Sequence, residues 1–327
     1  MRVLVTGANG FLGSWLVKKL ISMGIDVSIL ARPNSDLSLL EGTKFKTFQG
    51  DVTSLESLYP ACDGHEFVFH LAGVVAYKKS QRLQMEKVNV QGTRNVLQAC
   101  QKGKVKRLIH TSSVVAIGAG FRPQDVLNES AKFNLTKYNL GYFETKRKAE
   151  ELVREACQAG YIDAVCVNPS TIYGPGDAMK GSRGMQMKVA RGKMPFFTSG
   201  GVSIVDVEDV VQGIVKAWQN GRSGERYILS GENITVQQLF QTIAKAAGVR
   251  PPVIKMPKAL LYGLGHLGDF LSQFGVSGGL SIENAVTATL YHWYDCKKAQ
   301  TELGFQFRPA EESIRKSIEW AKAKKII

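Results

Sequence analysis

The chain has only five cysteines in 327 residues: Cys62, Cys100, Cys157, Cys166 and Cys296. None forms C-x-x-C and the number is odd. That excludes a disulfide framework and a cysteine zinc site, and reduced thiols in a cytoplasmic protein are expected. No uncharged apolar run reaches the length of a membrane span. An apolar run begins at residue 2, which leaves no room for a signal peptide ahead of it. Internal repeats, low-complexity tracts and long linkers are absent. Acid is scarce, with 28 Asp and Glu against 42 Lys and Arg and a net charge of +14. The excess favours anionic ligands. The basic residues are dispersed without a recognition motif, which argues against nucleic acid as a partner. A hydrophobic content of 44% over this length supports a large core, as one domain or two intimately joined ones.

What is present is organised around the first twenty residues. Arg2-Val-Leu-Val-Thr6 is a short β-branched run without polar alternation, the pattern of a strand buried on both faces. Gly7-Ala-Asn-Gly10-Phe-Leu-Gly13 follows, and then Phe11, Leu12, Trp15, Leu16, Lys19 and Leu20 at helical spacing. Strand, glycine turn and helix form the geometry that binds a dinucleotide. Gly7 permits positive φ, Gly10 clears the approach of a pyrophosphate, and Gly13 lets helix and strand lie close. Free N–H groups at the helix start face the phosphates. The spacing is G-x-x-G-x-x-G rather than G-x-G-x-x-G.

The order of elements predicts an α/β fold, a Rossmann-type doubly wound parallel sheet with a smaller, mainly helical C-terminal substrate-binding region. Strands are expected at Asp26–Ala31, Phe45–Phe48, Phe67–Leu71, Lys106–Thr111 and Ala164–Val167, and a further one at Arg226–Leu229. Arg32 follows the second strand, where such folds read the ribose 2′ position, and its forked cation suits a 2′-phosphate. Asp51 is a candidate acceptor for an adenine amino group or the N-cap of a helix Ser54–Tyr59. Small residues at Ala72-Gly73 leave room for a ribose. His70 is read as a packed strand residue, since no partner is spaced to activate it. A long amphipathic helix is expected over Met85–Cys100, another over about Asn139–Ala159, and mainly helices over Thr235–Lys325. The proposed division is a cofactor domain of residues 1–170, with contributions from about 202–230, and a substrate region of residues 171–327.

The chemistry centres on Tyr142 and Lys146, four residues apart and so on one helix face. An ammonium at ~4 Å with an effective dielectric of ~20 supplies roughly 4 kcal/mol, which would lower a phenol's pKa by about three units. The phenol would then exchange protons at neutral pH. Ser113, at the end of the fifth strand, can donate to the same substrate oxygen; no base beside it makes it a nucleophile.

As a set, Thr6-Gly7-Ala-Asn-Gly10-Phe-Leu-Gly13, Asp51-Val52, His70-Leu-Ala-Gly73, Asn89-Val-Gln-Gly-Thr93, Thr111-Ser-Ser113, Tyr142-x-x-x-Lys146 and Asn168-Pro169 resemble the extended short-chain dehydrogenase/reductase family over essentially the whole chain. Asn168-Pro-Ser-Thr, Arg191-Gly-Lys-Met-Pro and Glu225-Arg-Tyr-Ile-Leu-Ser-Gly-Glu-Asn are similar to dihydroflavonol 4-reductase-like proteins and to the bacterial branch labelled hopanoid-associated sugar epimerase. The resemblance implies Ser113, Tyr142 and Lys146 as catalytic, with Lys146 also bonding the nicotinamide ribose. It implies Gly7, Gly10 and Gly13 at the pyrophosphate, Asp51 and Val52 at the adenine, Ala72 and Gly73 at a ribose, and Pro169 at the nicotinamide. Asn9, Phe11, Leu12, Leu71, Asn89, Thr111, Ser112 and Ser170 join the implied cofactor contacts.

The expected function is an NADP(H)-dependent reductase, with NAD as the alternative cofactor, that interconverts a small-molecule carbonyl and its alcohol without a metal. A nucleotide-sugar epimerase or dehydratase is the runner-up. Family members of that kind carry an Arg-Asp-aromatic-Ile-His-Val segment, and here Val202 and Asp206 replace its Arg and His. A non-catalytic cofactor-binding regulator ranks last, since Tyr142 and Lys146 are both present. A homodimer is expected through the Asn89–Cys100 and Tyr142–Ala156 helices, with Val96, Leu152 and Val153 left over for the interface. In Pro257–Phe274, the residues Leu260, Leu261, Leu264, Leu267, Leu271 and Phe274 make one apolar stripe. It is expected to pack as a lid over the substrate cleft, in preference to facing a lipid surface.

Overall fold

Val3, Leu4 and Val5 are fully buried because their strand, β1 (Arg2–Thr6), is an interior strand of a seven-stranded parallel sheet. The computed structural model describes residues 1–179, 183–274 and 280–327. After β1 come α1 (Phe11–Ser22), β2 (Asp26–Ala31), β3 (Lys46–Gln49), α2 (Leu55–Cys62) and β4 (Phe67–His70). A helical run follows, as α3 (Arg82–Met85), a π-helical segment Glu86–Gln91 and α4 (Gly92–Lys102). Then come β5 (Arg107–Thr111), α5 (Gly141–Gln158) and β6 (Ala164–Pro169). The sheet order is β3-β2-β1-β4-β5-β6, closed at its far edge by β10 (Arg226–Leu229). The order reverses between β1 and β4, and in doubly wound sheets ligands bind outside the strand C-termini at that point.

Helices cover both faces. One layer packs α1 and α7 (Val207–Asn220) on the sheet, with Leu16, Leu20, Val210 and Ile214 fully buried. The other packs α2, α4 and α5, with Leu58, Val96, Ala99 and Val153 in its core. Val96 and Val153 are therefore consumed inside the subunit and are not the leftover interface residues expected from the sequence. Leu152 alone of the three stays half-buried.

The chain beyond β6 builds β7 (Thr171–Tyr173), α6 (Gly184–Ala190), β8 (Phe196–Phe197) and β9 (Gly201–Asp206) before α7 and β10, then β11 (Glu232–Thr235), α8 (Val236–Ala247) and β12 (Ile254–Lys255). It ends with α9 (Lys258–Ser272), α10 (Ile282–Thr287), β13 (Tyr291–His292), α11 (Lys297–Leu303) and α12 (Ala310–Ala323). Strands β7, β9, β11 and β13 form a second, mixed sheet, which the helix-dominated expectation omitted.

Helix α9 corrects the face expected to pack: its apolar stripe is not the buried side. Only Leu261 and Gly265 are buried; Leu260, Leu264, Leu267, Leu271 and Phe274 face outward. The glycines explain the choice of face. A Cβ on Gly268 would lie 2.1 Å from the Leu280 carbonyl oxygen, and one on Gly265 would lie 3.0 Å from Ile282 Cα. Close approach to α10 needs the small residues, so the leucines take the opposite side.

Candidate active site

The glycine turn is fixed by crowding at its ends and is open at its centre. Gly7 has φ +69°, and a Cβ there would lie 2.6 Å from the Ala72 nitrogen. A Cβ on Gly13 would lie 2.1 Å from the Gly7 carbonyl oxygen. Gly10 is different: it is exposed, and a Cβ on it would meet only that same oxygen, at 3.3 Å. Gly10 is also the N-cap of α1, so no side chain caps the helix and no acid sits in its first turn. An uncapped N-terminus with cleared backbone is a fitting cradle for a pyrophosphate.

The neighbouring strand ends are tied to this turn. Thr6 Oγ1 lies 2.8 Å from His70 Nδ1, and His70 Nε2 lies 3.1 Å from Thr93 Oγ1. Burial, and then the Lys146 charge, push His70 down to about 3, so its ring is a neutral strut between β1, β4 and α4, in line with the packed role read from the sequence. The π segment turns Asn89 inward. Its amide bonds both the N–H and the carbonyl of Val74, at 2.7 and 3.0 Å, and donates to Thr145 Oγ1 at 3.1 Å, which holds the Leu71-Ala72-Gly73 turn against α5. Leu71 and Ala72 are half-buried and Gly73 is exposed.

Arg32 is exposed just past β2, one strand from the glycine turn, and no ion pair holds it among the described residues. Asp51 is not the N-cap of the next helix. Ser54 takes that position, and Asp51 Oδ1 accepts from the Thr53 N–H at 2.8 Å in a local turn. Val52 is buried against Gly92, and its carbonyl accepts from Asn95 at 2.9 Å.

At the C-terminal end of β5, Thr111 Oγ1 and Ser112 Oγ are buried without a hydrogen bond inside the protein; so is Ser170 Oγ beyond Pro169 on β6. Buried hydroxyls of this kind fit a ligand's polar groups. Asn9 lies in the turn itself, and Phe11 and Leu12 open α1, with Phe11 buried against Gly176.

Helix α5 presents Phe143, Lys146, Glu150 and Val153 on its buried face. Lys146 Nζ donates to the Thr111 carbonyl at 2.8 Å. Burial pushes its pKa from 10.5 down to about 8, against the raising influence of Glu150. Ser113 lies beside Tyr142, near enough to favour its ionised form. The phenol lies well above the usual range: burial is the main cause, Tyr77 adds to it, and Ser113 opposes it. This corrects the expected lowering by Lys146. The ammonium is turned onto the end of β5, and desolvation governs the phenol.

Several positioning residues have no short sequence signature. Glu283 of α10, 3% exposed, accepts from the Gly141 N–H at 3.1 Å and pairs with Arg82 at 2.6 Å, fixing the start of α5. Behind Lys146, Glu150 bonds Asn168 Nδ2 at 2.5 Å and Arg226 at 3.0 Å. Asn168 also donates to the Ser113 carbonyl at 3.0 Å. Tyr77 stands 6.2 Å from Tyr142, ring to ring. Around them Leu140, Phe143, Val286 and Leu290 make an apolar cluster that Tyr142 joins.

Residues 4–246 match the 3-beta hydroxysteroid dehydrogenase/isomerase family. A protein of Methylococcus capsulatus named sterol demethylase protein B is 33% identical over 84% of this chain and 83% of its own. A Synechocystis protein that carries the provisional name dihydroflavonol 4-reductase is 31% identical over 97% of this chain and 93% of its own. Among solved structures, that of gox2253 has a TM-score of 0.87 at 32% identity, covering 99% of this chain and 98% of its own.

Proposed function

The chain belongs to the 3-beta hydroxysteroid dehydrogenase/isomerase family, within the extended short-chain dehydrogenases/reductases, and is an NAD(P)-dependent enzyme; on that premise we propose that it is an NADP(H)-dependent oxidoreductase that reduces a ketone or aldehyde to an alcohol. The observation that carries this reading is the convergence of Tyr142 at the head of α5, Ser113 just beyond β5, and Lys146 one turn on and anchored at Thr111. Ser113 donates to the carbonyl oxygen of the substrate. Tyr142, held protonated by burial, gives its proton to that oxygen as charge develops on it. Lys146 keeps a positive charge beside the path. NADPH, when bound, supplies the hydride. Gly7, Gly10, Gly13 and the α1 N-terminus suit its pyrophosphate, Arg32 its 2′-phosphate, Asp51 and Val52 its adenine, Ala72 and Gly73 a ribose, and Pro169 the nicotinamide.

The apolar surroundings of Tyr142 support an apolar, cyclic substrate, in keeping with the sterol named for one relative. A sugar diphosphate has less support. Val202 offers it no charge, and Asp206 is engaged elsewhere: it caps α7 through the Glu208 N–H at 2.9 Å and faces Arg308 at 3.8 Å. We also propose a cytoplasmic homodimer. Among the described residues no helix is long and apolar enough to cross a membrane.

The test is NADPH consumption by the purified protein against apolar ketones, aldehydes and sugar nucleotides. Turnover of a ketone that falls at least ~100-fold in Tyr142→Phe, with NADPH affinity kept, is expected. Turnover confined to sugar nucleotides with bound NAD would replace this reading by the epimerase one.

A further inference from the structure

Eight of the eighteen large apolar side chains exposed among the described residues fall between Val253 and Phe274. On α9, Leu260, Leu264, Leu267, Phe270 and Leu271 span an arc of about 120° at 100° per residue, and Phe274 follows just past the helix. Such an arc normally faces a core, yet here Leu267 is 52%, Phe270 55% and Phe274 70% exposed. The apolar surface continues onto the paired strands β8 and β12, where Ile254 opposes Phe196 and both are exposed.

The charges left without an ion pair near this face, among the described residues, are lysines. Lys255 and Lys258 stand exposed at the entry to α9. Lys78 and Lys79 lie on its flank, joined to it by the Lys79–Asp269 pair at 3.4 Å. The two nearby acids are neutralised, Asp269 by Lys79 and the buried Glu283 by Arg82. A 15-residue helix is about 22 Å long, shorter than the ~30 Å hydrocarbon layer, so it can lie in an interface but not cross it.

We propose that the exposed face of α9, with β8 and β12, docks the enzyme on an anionic phospholipid surface. The apolar arc enters the boundary between headgroups and acyl chains while the lysines meet the phosphates. Charge decides against a second copy as occupant: two such faces would bring like-charged lysine clusters together on chains of net charge +14. The opposite side of α9 belongs to the site. Leu261 is buried, and the Tyr262 hydroxyl is 3.0 Å from Thr289 Oγ1 within the apolar cluster that contains Tyr142. Docking thus turns the cleft toward the bilayer.

The test is sedimentation of the full chain with vesicles of phosphatidylglycerol and phosphatidylcholine, against vesicles of phosphatidylcholine alone. Binding to the anionic vesicles that weakens with salt is expected. At about 1 kcal/mol per lysine, Lys255→Gln with Lys258→Gln lowers the partition constant roughly 30-fold. Leu267→Asp with Phe270→Asp abolishes binding at an unchanged melting temperature, since both side chains are already in water. The glutamine pair keeps the test decisive if the aspartates disturb folding. Absence of binding to anionic vesicles, or binding unaffected by both pairs, overturns the proposal. So does a dimer in solution that Leu267→Asp splits, because the face is then occupied by a second copy.

Discussion

Replacing Lys146 by methionine should stabilise the protein while it disables the site. The side chain is buried, and burial displaces its pKa from 10.5 to about 8. Holding the charge at pH 7 therefore costs about 3 kcal/mol. Methionine fills a similar volume without charge but forfeits the bond from Nζ to the Thr111 carbonyl, worth about 1.5–2 kcal/mol. The net gain is about 1–2 kcal/mol. For 327 residues the unfolding entropy is roughly 0.7 kcal/mol per kelvin, so the melting temperature rises by about 2 °C. The sign with pH follows from proton counts. Between about 8 and 10.5 the unfolded lysine binds more protons than the folded one, so wild-type stability climbs with pH over that window. Below about 8 the cost is fully present; above 10.5 it is gone. Urea unfolding of both proteins at pH 7 and pH 10 reads this directly: the methionine variant leads at pH 7 and loses its lead at pH 10. A variant that is less stable at pH 7 by the same margin as at pH 10 would refute the argument. Ketone reduction should meanwhile fall at least ~100-fold.

Three further outcomes are expected. Arg32→Ala should weaken NADPH binding roughly 10- to 100-fold, the loss of a charge-assisted pair, and leave NADH binding unchanged in titrations of both cofactors; equal wild-type affinity for the two would count against the 2′-phosphate role. In the reductive direction kcat/KM should hold steady through neutral pH and decline as pH rises through about 8, where Lys146 loses its proton, and Lys146→Met should lack that inflexion. Light scattering at micromolar concentration should give twice the chain mass, and a mass that matches one chain would dismiss the homodimer.

How legible the molecule is in its sequence depends on range. The β1 run and glycine turn could be read because the need for Gly7 and Gly13 arises within a few residues or at the adjacent strand end. The strands of the parallel sheet came out within one or two residues: β3 lies one residue later than expected, and β6 runs on to Pro169. Tyr142 and Lys146 could be paired by helical spacing, but not the direction in which Lys146 points, since its partner Thr111 is on another element 35 residues away. Glu283 was out of reach because it meets Gly141 across 142 residues. The α9 stripe had the right residues and the wrong side. Periodicity defines an apolar face but does not say whether leucines or glycines meet the neighbour, and the closeness of α10 decided for the glycines.

Strand β10 carries a consequence for the order in which the protein can be made. It pairs with β6 from Arg226 to Leu229, and its Arg226 completes the ion pair with the 2%-exposed Glu150. Until residue 229 has emerged from the ribosome, the nascent sheet has an open edge at β6, and a carboxylate in the layer behind Lys146 lacks its cation. Everything between β6 and β10 must be synthesised while that edge waits. Lengthening the intervening segment, as a change of substrate would invite, extends the wait, so the growth of this region is checked by synthesis as well as by the fit of a ligand.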